Sequence, residues 1–381
     1  MYMKNTTLES PFSEMLDSYL LALENRPDSE KGISWNVFLS DFEKAIVDTS
    51  IWSTFMRNPL GIGVVTETLD SYHLVWGRDL HGEGKKLSHN YEPLIDEDVQ
   101  DSEKQELITK LLNLLLEQCG FEFFKKYNLS DVGSPARLTI TLNLDGKDPV
   151  NLSINQTDMQ LTHYFYQIVR TLKPFCNTNS PVVLDIGAGY GGVMAKMKKA
   201  FSGARCILLD LPDLLPVQIY YLNNVFPEYK FLYYRDWLER GSSIFEEDFD
   251  FLIAPNWMIK DIPEVSVDQV INMRSMMEMS NSVISSYFKE IQRITKIGGL
   301  FACVNRYLKE HKAFSIRNEK HIPGSSAEIN LLKTYPYDDY WKILLSQTSI
   351  IQPVVHDLIV RRQSEKNLFP IMESMKSLPP S

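Results

Sequence analysis

Two hydrophobic rhythms divide this chain. Up to about residue 150 the apolar positions recur mostly at helical spacing, whereas beyond residue 180 short apolar runs alternate with helical stretches. Phe12, Met15, Leu16, Tyr19, Leu20 and Leu23 predict an amphipathic helix over Phe12–Leu23, ended by the polar break Asn25–Gly32 with its Pro27. Trp35, Phe38, Leu39 and Phe42 begin a second helix, with Ser34 placed as its N-cap. The polar segment Arg78–Asp101 reads as a long loop, and its His81 and His89 read as solvated. Glu103–Gln118 is strongly helical, apolar on more than one side, and stopped by Gly120. Arg137–Leu144 alternates like a strand. Asp145-Gly146 then gives a hairpin signal, and Val150–Ile154 is the return strand. Thr157–Leu172 is a further helix.

The second rhythm predicts a parallel sheet. Its strands are Val182–Ile186, Cys206–Leu209, Phe231–Tyr234, Phe249–Ala254 and Leu300–Val304. Two more, Ser349–Gln352 and Leu358–Arg362, follow closely around Pro353, which makes seven strands. Val193–Phe201 is the helix after the first strand. The helix before the fifth strand carries Val283, Ile284, Tyr287, Phe288, Ile291 and Ile294 on one side and stops at Ile297-Gly298-Gly299. The expected fold is therefore α/β: a Rossmann-like seven-stranded sheet over residues 151–381, preceded by a mainly helical domain with a small hairpin over residues 1–150. That first domain has no nucleotide-loop motif. Covering a cleft, shaping a substrate pocket and forming a homodimer are the tasks open to it.

Composition narrows the classes. At 381 residues the chain exceeds the size at which one core keeps growing, so two domains are expected. A net charge of −10 argues against nucleic acid or an anionic membrane as a general partner. Cys119, Cys176, Cys206 and Cys303 are scattered and lack partners at metal-ligand spacing, so no zinc site is expected and a reducing compartment fits. The polar start Met1–Ser10 is unlike a signal peptide, and no apolar run approaches a membrane span. A cytoplasmic enzyme is the default expectation.

The candidate chemistry lies in Val182–Gly192, where an apolar strand with Asp185 runs into Gly187, Gly189, Gly191 and Gly192 and then into a helix. Strand, glycine turn and helix let the backbone approach a nucleotide-like ligand. The spacing of Gly187, Gly189 and Gly192 also satisfies the dinucleotide fingerprint, a weak signal alone. Asp210, ending the second strand, suits either ligand by accepting from ribose hydroxyls. Three features turn the reading from a dinucleotide to an amino-acid-bearing adenosine. Asp185 is placed to help hold a cationic amino-acid tail. Asp236 follows the third strand, towards an adenine amino group. Gly298-Gly299 leads into the fifth strand.

With these motifs residues 180–362 resemble the class I S-adenosylmethionine-dependent methyltransferases. The resemblance implies S-adenosylmethionine as cofactor and S-adenosylhomocysteine as product. It implies a methionine-end loop of Asp185, Gly187, Gly189 and Gly191, with Asp210 on the ribose and Leu211 against adenine. Asp236 and Trp237 would flank the adenine, and Asn256 would lie beside the sulfonium. A narrower pattern combines Asp131-Val-Gly-Ser-Pro135, Asp145-Gly146, Asp210-Leu-Pro, Asn272-x-x-Ser275-x-x-Glu278-Met279 and Tyr287-Phe288. Over residues 130–310 it is similar to the bacterial sugar O-methyltransferase family, which implies a hydroxyl of a deoxysugar, nucleotide sugar or glycan as acceptor.

Methyl transfer to such a hydroxyl needs alignment, exclusion of water and a base that takes the proton as charge shifts. Glu278, after the fourth strand, is the first candidate base, against capping of the helix that begins near Ser280–Ser282. His163, on the helix feeding the first strand, is the second, against a structural histidine. Asn272 and Ser275 would orient substrate or base, or serve as turn and cap residues. Asn305 and Arg306, after the fifth strand, sit where a sugar or its diphosphate would dock, against plain surface exposure. Asp261, Glu264 and Asp268 are spaced for a solvated face, so no metal is expected. The rival readings are a nicotinamide-dependent oxidoreductase, a catalytically silent methyltransferase-like scaffold, and a methyltransferase acting on a phenol or polyketide. The last usually uses a histidine after the fourth strand, and none occurs between Gly192 and Glu310.

Overall fold

The computed structural model describes residues 12–28, 52–53, 55, 112–127, 131–134, 137–142, 150–175, 179–276, 279–306, 308–309, 329–330, 335–349 and 355–367, with side chains left out at 137–142, 150–160, 306, 308–309 and 329–330. The predicted helix from Trp35, the loop Arg78–Asp101, the first turns of Glu103–Gln118, the Asp145-Gly146 turn, Cys176 and Glu278 lie outside the described residues. In chain order the elements are α1 (Phe12–Glu24), a helical stretch 112–119, α2 (Phe121–Tyr127), β1 (Arg137–Leu142), β2 (Val150–Asn155) and α3 (Gln156–Leu172). Then follow β3 (Val182–Ile186), α4 (Gly192–Ala200), β4 (Arg205–Asp210), α5 (Leu215–Val225), β5 (Phe231–Tyr233), α6 (Tyr234–Arg240) and β6 (Phe251–Pro255). The remainder is β7 (Val267–Met273), α7 (Asn281–Ile294), β8 (Thr295–Arg306), β9 (Leu308–Lys309), β10 (Ile329–Asn330), β11 (Trp341–Thr348) and β12 (Val355–Arg362).

The chain divides into two compact units. One comprises residues 1–39, 168–348 and 354–381, and the other residues 40–167 and 349–353. The first is built on an eight-stranded sheet in the order β11-β12-β8-β7-β3-β4-β6-β5. From β8 to β5 all neighbours are parallel, while β12 runs antiparallel to β8 and β11 antiparallel to β12. Every residue of β3 is buried, because a central parallel strand is covered on both faces. The amphipathic α7 buries Ile284, Tyr287, Phe288, Ile291 and Ile294, and Ser280 caps it through the Val283 N–H at 3.4 Å.

The sheet has one strand more than the sequence pattern predicts. β7 went unread because two fully buried polar residues, Gln269 and Asn272, interrupt its apolar run. In space the run ending at Ala254 lies between the second and third strands, and β7 lies beside β3. The penultimate strand, Trp341–Thr348, precedes Ser349 rather than starting there, and it lies at the edge of the sheet with only Trp341 buried. Helix α1, in the part of the chain read as a separate helical domain, belongs to the sheet unit. It packs against α5 and α6, with Phe12 6.0 Å from the Tyr220 ring and Asp17 3.1 Å from Arg235.

In the second unit β1 and β2 form the expected antiparallel hairpin, in register from Arg137 opposite Asn155 to Leu142 opposite Val150. Its core is aromatic: Phe123 lies 4.6 Å from Tyr127 and 5.0 Å from Tyr166, and Tyr127 lies 5.0 Å from Phe165.

Candidate functional site

In the sheet unit the chain order reverses at β3, which has β4 on one side and β7 on the other. The carboxyl ends of β3 and β4 therefore border the crevice where open α/β sheets bind ligands. The chain leaves β3 through Gly187, Gly189 and Gly191, all at positive φ (75°, 58° and 91°), and enters α4 with no side-chain cap. The loop is tied to β4 by the Gly187 N–H on the Leu209 carbonyl at 2.8 Å. A Cβ at Gly189 would meet nothing within 4 Å, so this is the glycine that opens the loop to a ligand. At Gly187 the reason is different: a Cβ there would lie 2.3 Å from Oγ of Ser275. The contact with Ser275 and the positive φ are each enough to require glycine here.

Asp210 grips this loop. Its Oδ2 accepts from the Gly189 N–H at 2.8 Å and from Nε2 of Gln218 at 3.4 Å, and its Oδ1 accepts from the Leu211 N–H at 2.8 Å. Nε2 of Gln218 also donates to the Gly189 carbonyl at 3.0 Å. Burial pushes the Asp210 carboxyl up to about 7, although the Leu211 and Gly189 N–H groups pull the other way. Leu211, half-buried, leads into the 3-10 turn Pro212–Leu214. Gln218 is a member of this arrangement that the sequence pattern hid: its signal is a lone polar position among the buried apolar residues of α5.

Asp185 stands beside this arrangement. It is 1% exposed, and its Oδ1 has no hydrogen-bond partner among the described residues. Its carboxyl is held well above the usual range, first by burial and then by the charge of Asp210. A buried acid with an unused oxygen stands next to a loop with open space at Gly189, and a cation or a hydrogen-bond donor reaching it would relieve the cost of its burial.

Other candidates fall in different places. Asp236 caps α6, accepting from the Tyr233 N–H at 2.9 Å with Oδ2 and from Arg240 at 3.0 Å with Oδ1, so both oxygens are engaged. It follows β5, and β6 separates that strand from β4. Trp237 is buried edge-on to Phe245 at 5.1 Å. Asn256 follows β6, directly after the Asp210–Pro255 pair, so it lies on the Asp210 side of the sheet; its Nδ2 donates to the Tyr287 hydroxyl at 3.1 Å. Asn272, Ser275 and Asn305 come together behind the glycine loop. Nδ2 of Asn272 donates to the Ile186 carbonyl at 2.8 Å and to Oγ of Ser275 at 2.6 Å, and Asn305 donates to Oδ1 of Asn272 at 3.0 Å. Arg306 ends β8 opposite Val355. His163 is fully buried in the second unit, its Nε2 3.3 Å from Oγ of Ser349 and its ring edge-on to Tyr164.

Among the described residues no group of three or more His, Cys, Asp or Glu is placed to hold a metal ion, and no helix is long and apolar enough to cross a membrane.

No family model and no curated protein matches the sequence. Solved structures similar to the chain include a mitomycin 7-O-methyltransferase, 17% identical, with 55% of this chain and 55% of that one covered at a TM-score of 0.35. A pyocyanin biosynthetic protein is 10% identical over 54% of this chain and 57% of its own, at a TM-score of 0.33. A geranyl diphosphate methyltransferase in complex with S-adenosylmethionine is 13% identical over 54% and 87%, at 0.36. The chain thus spans little more than half the length of the first two. Likenesses this distant bear on neither acceptor nor chemistry.

Proposed function

We propose that this chain is an S-adenosylmethionine-dependent methyltransferase whose acceptor is a sugar hydroxyl. The observation that carries the cofactor is Asp185, a buried carboxylate with an unpartnered oxygen beside an open glycine loop. A pyrophosphate would add negative charge to a loop flanked by two buried acids, Asp185 and Asp210. A sulfonium and an ammonium bring the positive charge that such a place favours. When bound, this cofactor supplies an electrophilic methyl group on sulfur.

In this reading Asp185 and the backbone of Gly187–Gly191 hold the amino-acid end. Asp210, kept in place by Gln218 and the Gly189 N–H, receives the ribose, and Leu211 with Asn256 borders the adenine. The pairing of β6 with β4 supports Asn256 here rather than beside the sulfonium, and the place of β6 between β4 and β5 argues against Asp236 and Trp237 at the adenine. The sugar rests on the sequence pattern Asn272, Ser275, Glu278 and Met279, with Glu278 taking the hydroxyl proton as the bond to carbon forms. Full burial of His163 against Ser349 argues for Glu278 as the base.

Titration calorimetry with S-adenosylhomocysteine and with NADH tests the cofactor. The expected result is saturable binding of the first and none of the second; the reverse would sink the reading. Labelled methyl transfer to a panel of nucleotide sugars and glycans tests the acceptor. Glu278→Gln should lower turnover roughly 100-fold or more while leaving S-adenosylhomocysteine binding intact. Transfer to phenols and to no sugar would move the acceptor to the other class.

A further inference from the structure

We infer that Ser275 is a positioning residue that locks the glycine loop to the segment following β7. The inference rests on the reading of that loop as the cofactor's. Three observations converge on it. Oγ of Ser275 donates to the Ile186 carbonyl at 3.1 Å, at the point where β3 becomes the loop. The same oxygen accepts from Asn272 at 2.6 Å, and Asn272 itself holds the Ile186 carbonyl at 2.8 Å. Finally, Ser275 packs against Gly187 so closely that a Cβ on that glycine would fall 2.5 Å from Cβ of Ser275.

The geometry is maintained at a cost. Arg274 is held at φ 64°, a left-handed conformation that a side chain with a Cβ disfavours by about 1–2 kcal/mol. Its N–H is fixed on the Val304 carbonyl at 2.7 Å. That turn aims Ser275 at the loop. Behind it Asn272 is fully buried, with Oδ1 accepting from the Met276 N–H at 3.1 Å and from Asn305 at 3.0 Å. The pin is therefore anchored in β7 and β8, and it reaches the loop carrying Gly189 and the segment leading to Glu278. In this reading Ser275 acts on the cofactor through Ile186 and Gly187.

The test uses the full chain and S-adenosylhomocysteine. Ser275→Ala removes one hydrogen bond to the loop and should weaken binding by roughly 3–10-fold. The ligand-free thermal midpoint should move by no more than about 3 °C, which a general structural role would exceed. Ser275→Thr, which keeps the hydroxyl, should bind within about twofold of the wild type. Equal affinity in Ser275→Ala and wild type would overturn the proposal, as would a loss in Ser275→Thr as large as that in Ser275→Ala. A wild-type chain that binds no S-adenosylhomocysteine overturns the cofactor reading itself, and the proposal with it.

Discussion

A carboxylate that is 1% exposed, with an oxygen lacking a partner among the described residues, burdens the folded chain whenever Asp185 is ionised. Its folded pKa lies above the unfolded value, so the native state binds the proton more tightly. Stability from this group is present below the unfolded pKa and is lost as pH rises through the folded one. Asp185→Asn mimics the protonated form. The variant should therefore be more stable than the wild type near pH 8, by about 1–3 kcal/mol, and lose that advantage towards pH 5. It should also bind S-adenosylhomocysteine at least roughly tenfold more weakly, because Asn cannot ionise to meet a cation. Scanning calorimetry at both pH values and titration calorimetry read the two effects. Stability lost near pH 8 with binding retained would mean that the carboxylate is partnered and structural.

At the scale of elements, β7 is where the sequence was least informative. Val182–Ile186, Cys206–Leu209 and Leu300–Val304 are legible because strands covered on both faces read as apolar runs. α7 is legible from one apolar stripe. β7 places Gln269 and Asn272 at fully buried positions, and a local pattern scores such residues as a break. The glycine loop and Asp210 were readable, since both lie on adjacent β–turn–α units. The Ser275–Gly187 contact was not, since it exists only because β7 pairs with β3 across a large sequence separation. Asn272 has its hydrogen bonds, but neither polar atom of the Gln269 side chain has a partner among the described residues. Gln269 pairs with Val183 and Leu300, towards the end of the sheet away from the glycine loop. Gln269→Met keeps its volume and removes both unsatisfied groups. It should raise stability by about 1–3 kcal/mol, or roughly 2–4 °C for each kcal/mol, with S-adenosylhomocysteine affinity unchanged. A lower thermal midpoint would show that this amide is satisfied in solution.

Over the whole molecule the buried acids add up. Burial pushes Asp210 and Asp357 up to about 7 and Asp213 up to about 6, and Asp185 higher than its usual range, all within the sheet unit. Each holds its proton more tightly folded than unfolded, so ligand-free stability should rise as pH falls from about 8 towards 5, by at most ~1.4 kcal/mol per pH unit per group. The net charge of −10 acts in the same direction, because self-repulsion relaxes on approaching the pI of about 5.3. Salt separates the two causes. Repulsion between surface charges is screened at about 0.5 M salt, whereas the burial of Asp185 and Asp210 is not. The pH slope should therefore survive high salt. Binding reverses the sign for the two acids at the glycine loop. An ammonium facing Asp185 and ribose hydroxyls donating to Asp210 both favour the ionised carboxylates, so S-adenosylhomocysteine should bind more tightly as pH rises through about 7, the Asp210 value, and release protons on binding. Calorimetric titrations in buffers of different ionisation enthalpy measure that release directly. A ligand that takes up protons, or whose affinity falls between about pH 6 and 8, would mean that Asp185 does not meet its ammonium and Asp210 does not meet its ribose.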